Sequence, residues 1–224
     1  MERHVLVVLP HPDDESFGCG GAIALHTNAG TPVTYACGTL GEMGRNMGRP
    51  FFATRESLPK IREKELRNAC DALAVRDLRL MGLRDKTVEF EDPERLADRI
   101  EAFIKELQPS LILTFYPGHA VHPDHDAMGA ATIRAVARFA KENRPVVHCM
   151  AITKNRETIL GKPDVTIDIS AVREQKLNAI KAHRSQTEAL FANWEEEKKK
   201  NPDYIKRMEQ NWQKEVYWTY SFEN

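Results

Sequence analysis

The chain has 224 residues, a length that one hydrophobic core can still serve, since cores stop growing only beyond about 250–300 residues. Hydrophobic residues make up 42% and charged residues 29%, which excludes disordered, collagen-like and low-complexity classes. Lys and Arg total 32 against 33 Asp and Glu, a formal net charge of −1, so no global field draws the chain to nucleic acid or an anionic membrane.

The opening MERHVLVVLPHPDDES carries a short apolar run, then Pro10 and three acids, and lacks the apolar stretch and cleavage site of a secretory signal. No later run approaches the roughly 20 apolar residues of a membrane span. Cys19, Cys37, Cys70 and Cys149 are widely spread with no CxxC pair, which reads as reduced, buried thiols. The expectation is a soluble cytoplasmic protein, without nucleic-acid or membrane partners.

Val5 to Leu9 is short and wholly apolar, as a buried strand of a parallel sheet is. Gly20 to Ala29 reads as a compact apolar helix closed by Gly30, and Val33 to Cys37 as the next strand. Strand, helix and strand within forty residues predict an α/β, doubly wound, mostly parallel sheet with helices on both faces. Gly38 to Pro59, rich in Gly, Pro and Arg, reads as a long irregular segment, which a compact domain keeps only for a purpose unless it conceals a short helix. A helix over Ile61 to Leu73 follows, then a short strand near Leu78 to Met81. Asp92 and Pro93 suit the N-cap and first position of a helix ending at Leu107, with Leu96, Ile100, Phe103 and Leu107 on its buried face.

Leu111 to Phe115 is another apolar strand, and Ala127 to Phe139 reads as a helix with Met128, Ala131, Ala135 and Phe139 inward. Val146 to Ile152 and Val165 to Ile169 read as strands, and Ser170 as the cap of a helix reaching His183. From about residue 184 a helical, then aromatic-rich extension completes a single domain over 1–224, its Glu195 to Lys200 run suiting a solvated face with i,i+4 pairs. Trp212, Tyr217, Trp218, Tyr220 and Phe222 suit either a cover for the sheet edge or a homo-oligomer interface, alternatives the sequence leaves open.

Chemistry gathers at two strand ends. Val5–Leu9 is followed by His11-Pro12-Asp13-Asp14-Glu15, and Leu111–Phe115 by Tyr116-Pro117-Gly118-His119-Ala120-Val121-His122-Pro123-Asp124-His125-Asp126. Open α/β sheets bind ligands beyond the carboxyl ends of their strands, so two such clusters can meet although a hundred residues apart. Adjacent acids beside a buried strand need a counter-charge, and imidazole with carboxylate suits zinc or iron. Taken singly, the acids could serve as helix caps; two clusters at matching ends favour a metal site. Gly18-Cys19-Gly20-Gly21 departs from GxGxxG spacing and follows acids that repel a pyrophosphate, so these glycines are expected to permit close packing. Neither a GxSxG elbow nor a P-loop lysine motif is present.

With His11-Pro12-Asp13-Asp14-Glu15 and His122-Pro123-Asp124-His125, the chain resembles the LmbE-like, or PIG-L, family of zinc-dependent N-acetylglucosamine deacetylases, a likeness extending through Ala182-His183-Arg184-Ser185-Gln186. Within the family it is most similar to the branch that converts N-acetylglucosaminyl-malate to glucosaminyl-malate in bacillithiol biosynthesis. The resemblance implies a Rossmann-like fold and one Zn2+ per subunit on His11, Asp14 and His125, with another divalent metal such as Fe2+ fitting the same donors. It implies Asp13 as general base and His122 as the imidazole that steadies the oxyanion and serves the leaving amine. Asp124 would stand behind His122 or orient the metal histidine. Arg62 and Asp85 match sugar contacts, whereas His183 has no assigned role.

The residues add Glu42 as a candidate for the sugar hydroxyls, and Arg45, Arg49, Arg55 and Arg62 as candidates to clamp a malate carboxylate. Some relatives carry a tyrosine where this chain has Ala120, leaving Tyr116 or His119 to complete the oxyanion site. The expected partner is a small N-acetylated amino-sugar conjugate. A chito-oligosaccharide, a glycolipid headgroup or a thiol conjugate would fit the same chemistry. A metal- or sugar-binding protein without activity would not need both Asp13 and His122.

Overall fold

The computed structural model describes residues 1–201 and 212–222. Its seven strands are β1 (Val5–Leu9), β2 (Val33–Cys37), β3 (Asp77–Leu80), β4 (Leu111–Phe115), β5 (Val146–Met150), β6 (Val165–Asp168) and β7 (Lys214–Thr219), in the order β3-β2-β1-β4-β5-β7-β6. β1 to β5 are parallel, as the sequence predicts, and β7 enters antiparallel to both β5 and β6.

β1 is fully buried, and its alternate residues feed two cores. Val5, Val7 and Leu9 face α2 (Gly20–Asn28), α3 (Leu58–Ala72) and α7 (Arg173–Ala182). Leu6 and Val8 face α4 (Pro93–Leu107) and α5 (Pro123–Ala137). The expected doubly wound architecture is therefore present. Among the described residues no helix is long and apolar enough to cross a membrane. All four cysteines are free and buried.

Asp92 caps α4 as expected, its carboxylate accepting from the amides of Glu94 and Arg95, with Leu96, Ile100 and Ile104 buried and Phe103 and Leu107 at the margin. Gly21 meets the expectation of close packing, since a Cβ there would lie 2.4 Å from Ile169. The 38–57 segment holds no helix or strand, but it is fastened: Arg55 donates to the carbonyls of Glu42 and Gly44, and Gly48 to that of Ser185.

Three elements depart from expectation. A short helix α1 (Asp14–Gly18) precedes α2, so the acids of the first motif lie inside a helix. α5 begins at Pro123 rather than Ala127, with the His122 side chain as its cap. Ser170 caps nothing: it opens a 3-10 turn, and α7 starts at Arg173. Among the described residues α6 (Arg156–Leu160) and α8 (Arg184–Lys200) complete the helices, α8 following α7 almost directly.

Of the aromatic tail, Tyr217 and Trp218 are buried within β7, which pairs along the open edge of β5 and so covers the parallel strands on that side. The pattern of β7 is inverted: Glu215 points inward and Val216 outward. The Glu215 carboxylate accepts from the amides of Gly21 and Ala22 at 2.7 and 2.8 Å, from Tyr217 Oη and from Lys176 Nζ. A carboxylate from a remote strand thus satisfies the open amides at the start of α2, where Cys19 offers no side-chain cap.

Gly129 lets α5 lie against β4, since a Cβ there would stand 2.3 Å from the Phe115 carbonyl oxygen, a backbone atom that cannot swing aside. Gly129→Ala is expected to cost about 1–3 kcal/mol and several degrees of Tm, read by thermal unfolding.

Candidate metal centre and active site

Chain order reverses between the neighbouring strands β1 and β4: β1 leads to β2 and β3 on one side, β4 to β5 on the other. The loops beyond their carboxyl ends diverge there and open a cleft, the place where open α/β sheets hold ligands. Both motifs lie at this switch point. The imidazoles of His11, His122 and His125 gather with ring centroids 5.0–5.2 Å apart. They line a cavity of about 360 Å³ that Asp13, Asp14 and Asp85 also border.

His11 Nδ1 lies 3.1 Å from His125 Nε2, and the Asp14 carboxylate is 3.4 Å from the first and 3.2 Å from the second. The outward nitrogens decide what these inner ones can be. His11 Nε2 faces Asp124 and Asp85, each at 3.2 Å, and must carry a proton. His125 Nδ1 lies 3.1 Å from the Ala120 carbonyl and must also carry one. In neutral tautomers two lone pairs and a carboxylate therefore converge on one point, an arrangement that a cation must fill.

Without a metal that cation is a proton. Burial lowers the His11 pKa, but Asp124, Asp14 and Asp85 outweigh it and raise it to about 11. Burial likewise opposes ionisation of Asp14, yet His125 and His11 hold it below the ordinary carboxylate range. Donors about 2.0–2.1 Å from a tetrahedral zinc lie roughly 3.3 Å apart, which matches the observed separations. His11, Asp14 and His125 fit a divalent cation. The stacking of Phe115 on His125, with centroids 4.0 Å apart, fixes the second ring.

Asp13 stands beside this triad with φ at 101°, a left-handed conformation costly for a residue bearing Cβ. Two contacts hold it there. Arg62 Nη2 donates to Asp13 Oδ2 at 2.9 Å and to the Pro12 carbonyl, while Nη1 donates to the Gly41 carbonyl at 2.8 Å. Glu15 Oε2 accepts from the Asp13 amide at 3.0 Å. Burial raises the Asp13 pKa, Arg62 opposes, and the value rests at about 6, suited to a general base near neutral pH.

His183, left without a role by the sequence, is fully buried and bonds Glu15 Oε1 through Nε2 at 2.7 Å. Burial disfavours both charges, but their attraction outweighs it, lowering the Glu15 pKa and raising that of His183. The Ala182-His183 segment therefore supports the base from behind. Neither Glu15 nor His183 has a local sequence signal for this contact, which spans 168 positions.

Asp124 is fully buried and accepts from the amides of Lys86 at 2.7 Å and Val88 at 3.1 Å. Its third contact is His11 Nε2, so it orients the metal histidine, one of its two expected placements. His122 Nδ1 accepts from the Asp124 amide at 3.2 Å, which leaves its proton on Nε2. Burial, then the neighbouring His11 and His125, lower its pKa and keep it a neutral donor.

The expected substrate contacts divide between the cavity wall and the shell behind it. Arg62 borders the cavity, is 4% exposed, and its hydrogen bonds go to Asp13 and to backbone, so it holds the base. Asp85 borders the cavity, but its oxygens face His11 Nε2 and the Met43 amide. Glu42 does not line the cavity; it accepts from the Asp85 amide at 3.0 Å and so holds that loop. Tyr116 and His119 do not line it either: they face each other, with His119 Nδ1 near Thr153 Oγ1, and Ala120 is buried. Arg45 lines the cavity with Arg62 and Asp85, and it is exposed, with no hydrogen bond or ion pair to any described residue.

The family model for GlcNAc-PI de-N-acetylase, PIG-L, matches residues 6–136. The chain belongs to the PIG-L family. It is 58% identical, over the whole of both chains, to the probable N-acetyl-alpha-D-glucosaminyl L-malate deacetylase 2 of Bacillus cereus. It is 57% identical to the protein of the same name in Bacillus subtilis, over 99% of each chain. Among solved structures, N,N'-diacetylchitobiose deacetylase from Pyrococcus horikoshii shares the fold, with a TM-score of 0.74 and 24% identity over 98% of this chain and 84% of that one.

Two outcomes follow from this geometry. Glu15→Gln removes the charge opposing buried His183 and is expected to cost about 3 kcal/mol in urea unfolding, with activity falling as Asp13 loses its support. In Arg62→Gln the guanidinium no longer lowers the Asp13 pKa, so the acid limb of the kcat/KM profile is expected to move to higher pH. The rate falls as pH drops through that limb because only the ionised carboxylate accepts a proton.

Proposed function

We propose that this protein hydrolyses the N-acetyl group of N-acetylglucosaminyl-malate, releasing acetate and glucosaminyl-malate, with zinc held by His11, Asp14 and His125. The observation that carries the hydrolytic chemistry is the convergence of two imidazole lone pairs and a carboxylate beside a base of pKa about 6. The malate conjugate is favoured by end-to-end likeness to deacetylases named for that substrate. Zinc is the divalent ion that mixed nitrogen and carboxylate donors most commonly hold for hydrolysis, and Fe2+ suits the same donors.

An acetamide needs a strong nucleophile, polarisation of its carbonyl, and a proton for a poor leaving amine. When bound, the cation supplies Lewis acidity and brings the pKa of a water toward about 7. Asp13, held by Arg62 at its carboxylate and by Glu15 at its amide, takes the proton from the attacking water. His122 presents Nε2–H to the carbonyl oxygen as negative charge develops there. The proton collected by Asp13 then passes to the departing amine. Asp124 keeps the His11 ring in register throughout.

Arg45 is the candidate partner for a malate carboxylate. Arg49 is bonded to Asn193, Arg55 to two carbonyls and Arg62 to the base, which leaves Arg45 uncommitted. Arg45→Gln is expected to raise KM for the malate conjugate about tenfold with little change in kcat, seen by steady-state kinetics.

The primary test is acetate release from N-acetylglucosaminyl-malate beside free N-acetylglucosamine, using zinc-loaded protein and Asp13→Asn. Fast release from the conjugate, slow release from the free sugar and a loss of about 10²–10⁴ in the variant are expected. Chelation should abolish turnover, and restoration by Zn2+ or Fe2+ identifies the competent metal. Absence of release from the conjugate by metal-loaded protein overturns the substrate assignment.

A further inference from the structure

We propose that Lys86 is a specificity-determining residue that binds a carboxylate of the substrate's malate portion, an inference resting on the N-acetylglucosaminyl-malate reading above. Lys86 follows β3 and borders the same cavity as His11, Asp14 and Arg45. Its φ is 63°, a left-handed conformation that glycine or asparagine adopts more easily than lysine.

The backbone has a clear reason to be there. The Lys86 amide donates to Asp124 Oδ2 at 2.7 Å, and that same oxygen lies 3.2 Å from His11 Nε2. The Lys86 backbone is thus two hydrogen bonds from the metal-ligating ring. Glycine would supply the identical amide without strain, so the fold accounts for the conformation but not for the lysine side chain. A strained residue whose side chain does nothing for the fold, at the rim of an active site, points to a ligand.

The charges around the cavity say which ligand. Asp13, Asp14 and Asp85 are each paired or hydrogen-bonded, and Arg62 is bonded to Asp13. Lys86 is exposed, and its ammonium makes no hydrogen bond or ion pair with any described residue. Arg45 and Lys86 are therefore the two cations of the cavity left uncommitted among the described residues. They come from different loops, one after β2 and one after β3.

Malate attached through its hydroxyl carries two carboxylates on separate carbons, and a single guanidinium can pair with only one of them. An arginine and a lysine approaching from separate loops can take one each, the guanidinium bidentately and the ammonium as a compact point charge. A neutral glycoside offers them hydroxyl acceptors but no negative charge to pair with.

The test compares wild type, Lys86→Gly, Lys86→Met and Lys86→Arg on N-acetylglucosaminyl-malate and on its malate dimethyl ester. Lys86→Gly keeps the amide to Asp124 and relieves the backbone, so its Tm should match or exceed that of wild type. The expected result is a KM for the conjugate raised at least tenfold in the Gly and Met variants, with kcat within threefold and Lys86→Arg restoring most of the loss. The preference in kcat/KM for conjugate over diester should fall by the same factor. An unchanged KM in Lys86→Gly, or equal losses on conjugate and diester, overturns the role of Lys86 while leaving the deacetylase reading intact. Failure of wild type to release acetate from the conjugate overturns both together.

Discussion

The active site is organised by a demand for positive charge. His11 and His125 turn their protonated nitrogens outward, toward carboxylates and a carbonyl, and so aim their lone pairs at each other and at Asp14. In a low-dielectric cleft such a convergence is stable only around a cation, and with no metal the carboxylates hold a proton on His11. Metal uptake must displace that proton, which couples metal affinity to pH and makes the outward partners part of the metal site.

Those partners are drawn from across the molecule. Asp124 binds the His11 ring and simultaneously the amides of Lys86 and Val88, so the loop after β3 is tied to the metal histidine through one carboxylate. Arg62 from α3 and Glu15 from α1 grip Asp13 from its side chain and its amide, and His183 anchors Glu15 in turn. Glu65 receives the amide and hydroxyl of Ser185, fixing the start of α8 beside α3. Buried charges here are spent on orientation, and two cations at the rim are left uncommitted. That division separates catalysis, which needs rigid first partners, from recognition, which needs groups free to meet a ligand.

The helix α5 shows how packing serves the site. Val121 and Gly118 both adopt positive φ in the 116–122 turn, which is closed by the Ala120 amide on Asp126 Oδ1. Pro123 then starts the helix where no amide is needed, and Gly129 allows its close approach to β4. His122 and His125 thus ride on a helix start seated against the strand that carries Phe115.

Much of this was legible in the chain itself. The apolar runs of β1, β2 and β4 announce buried parallel strands, because such strands lack a polar face. Asp92-Pro93 marks the start of α4, and two His- and Asp-rich segments directly after strands mark the site, because strand ends of a parallel sheet share one edge. What the linear order could not convey were partnerships between distant side chains. β7 was hidden because its buried Glu215 and exposed Val216 reverse the usual alternation, a reversal explained only by the α2 amides that Glu215 satisfies. The bonds that Arg62, Glu42 and Asp85 make inside the protein were hidden for the same reason: a residue's charge is local, but what folding brings against it is not. Residue type and strand-end position determined the chemistry and its address. Tertiary contact decided which charged groups orient the site and which remain to receive a substrate.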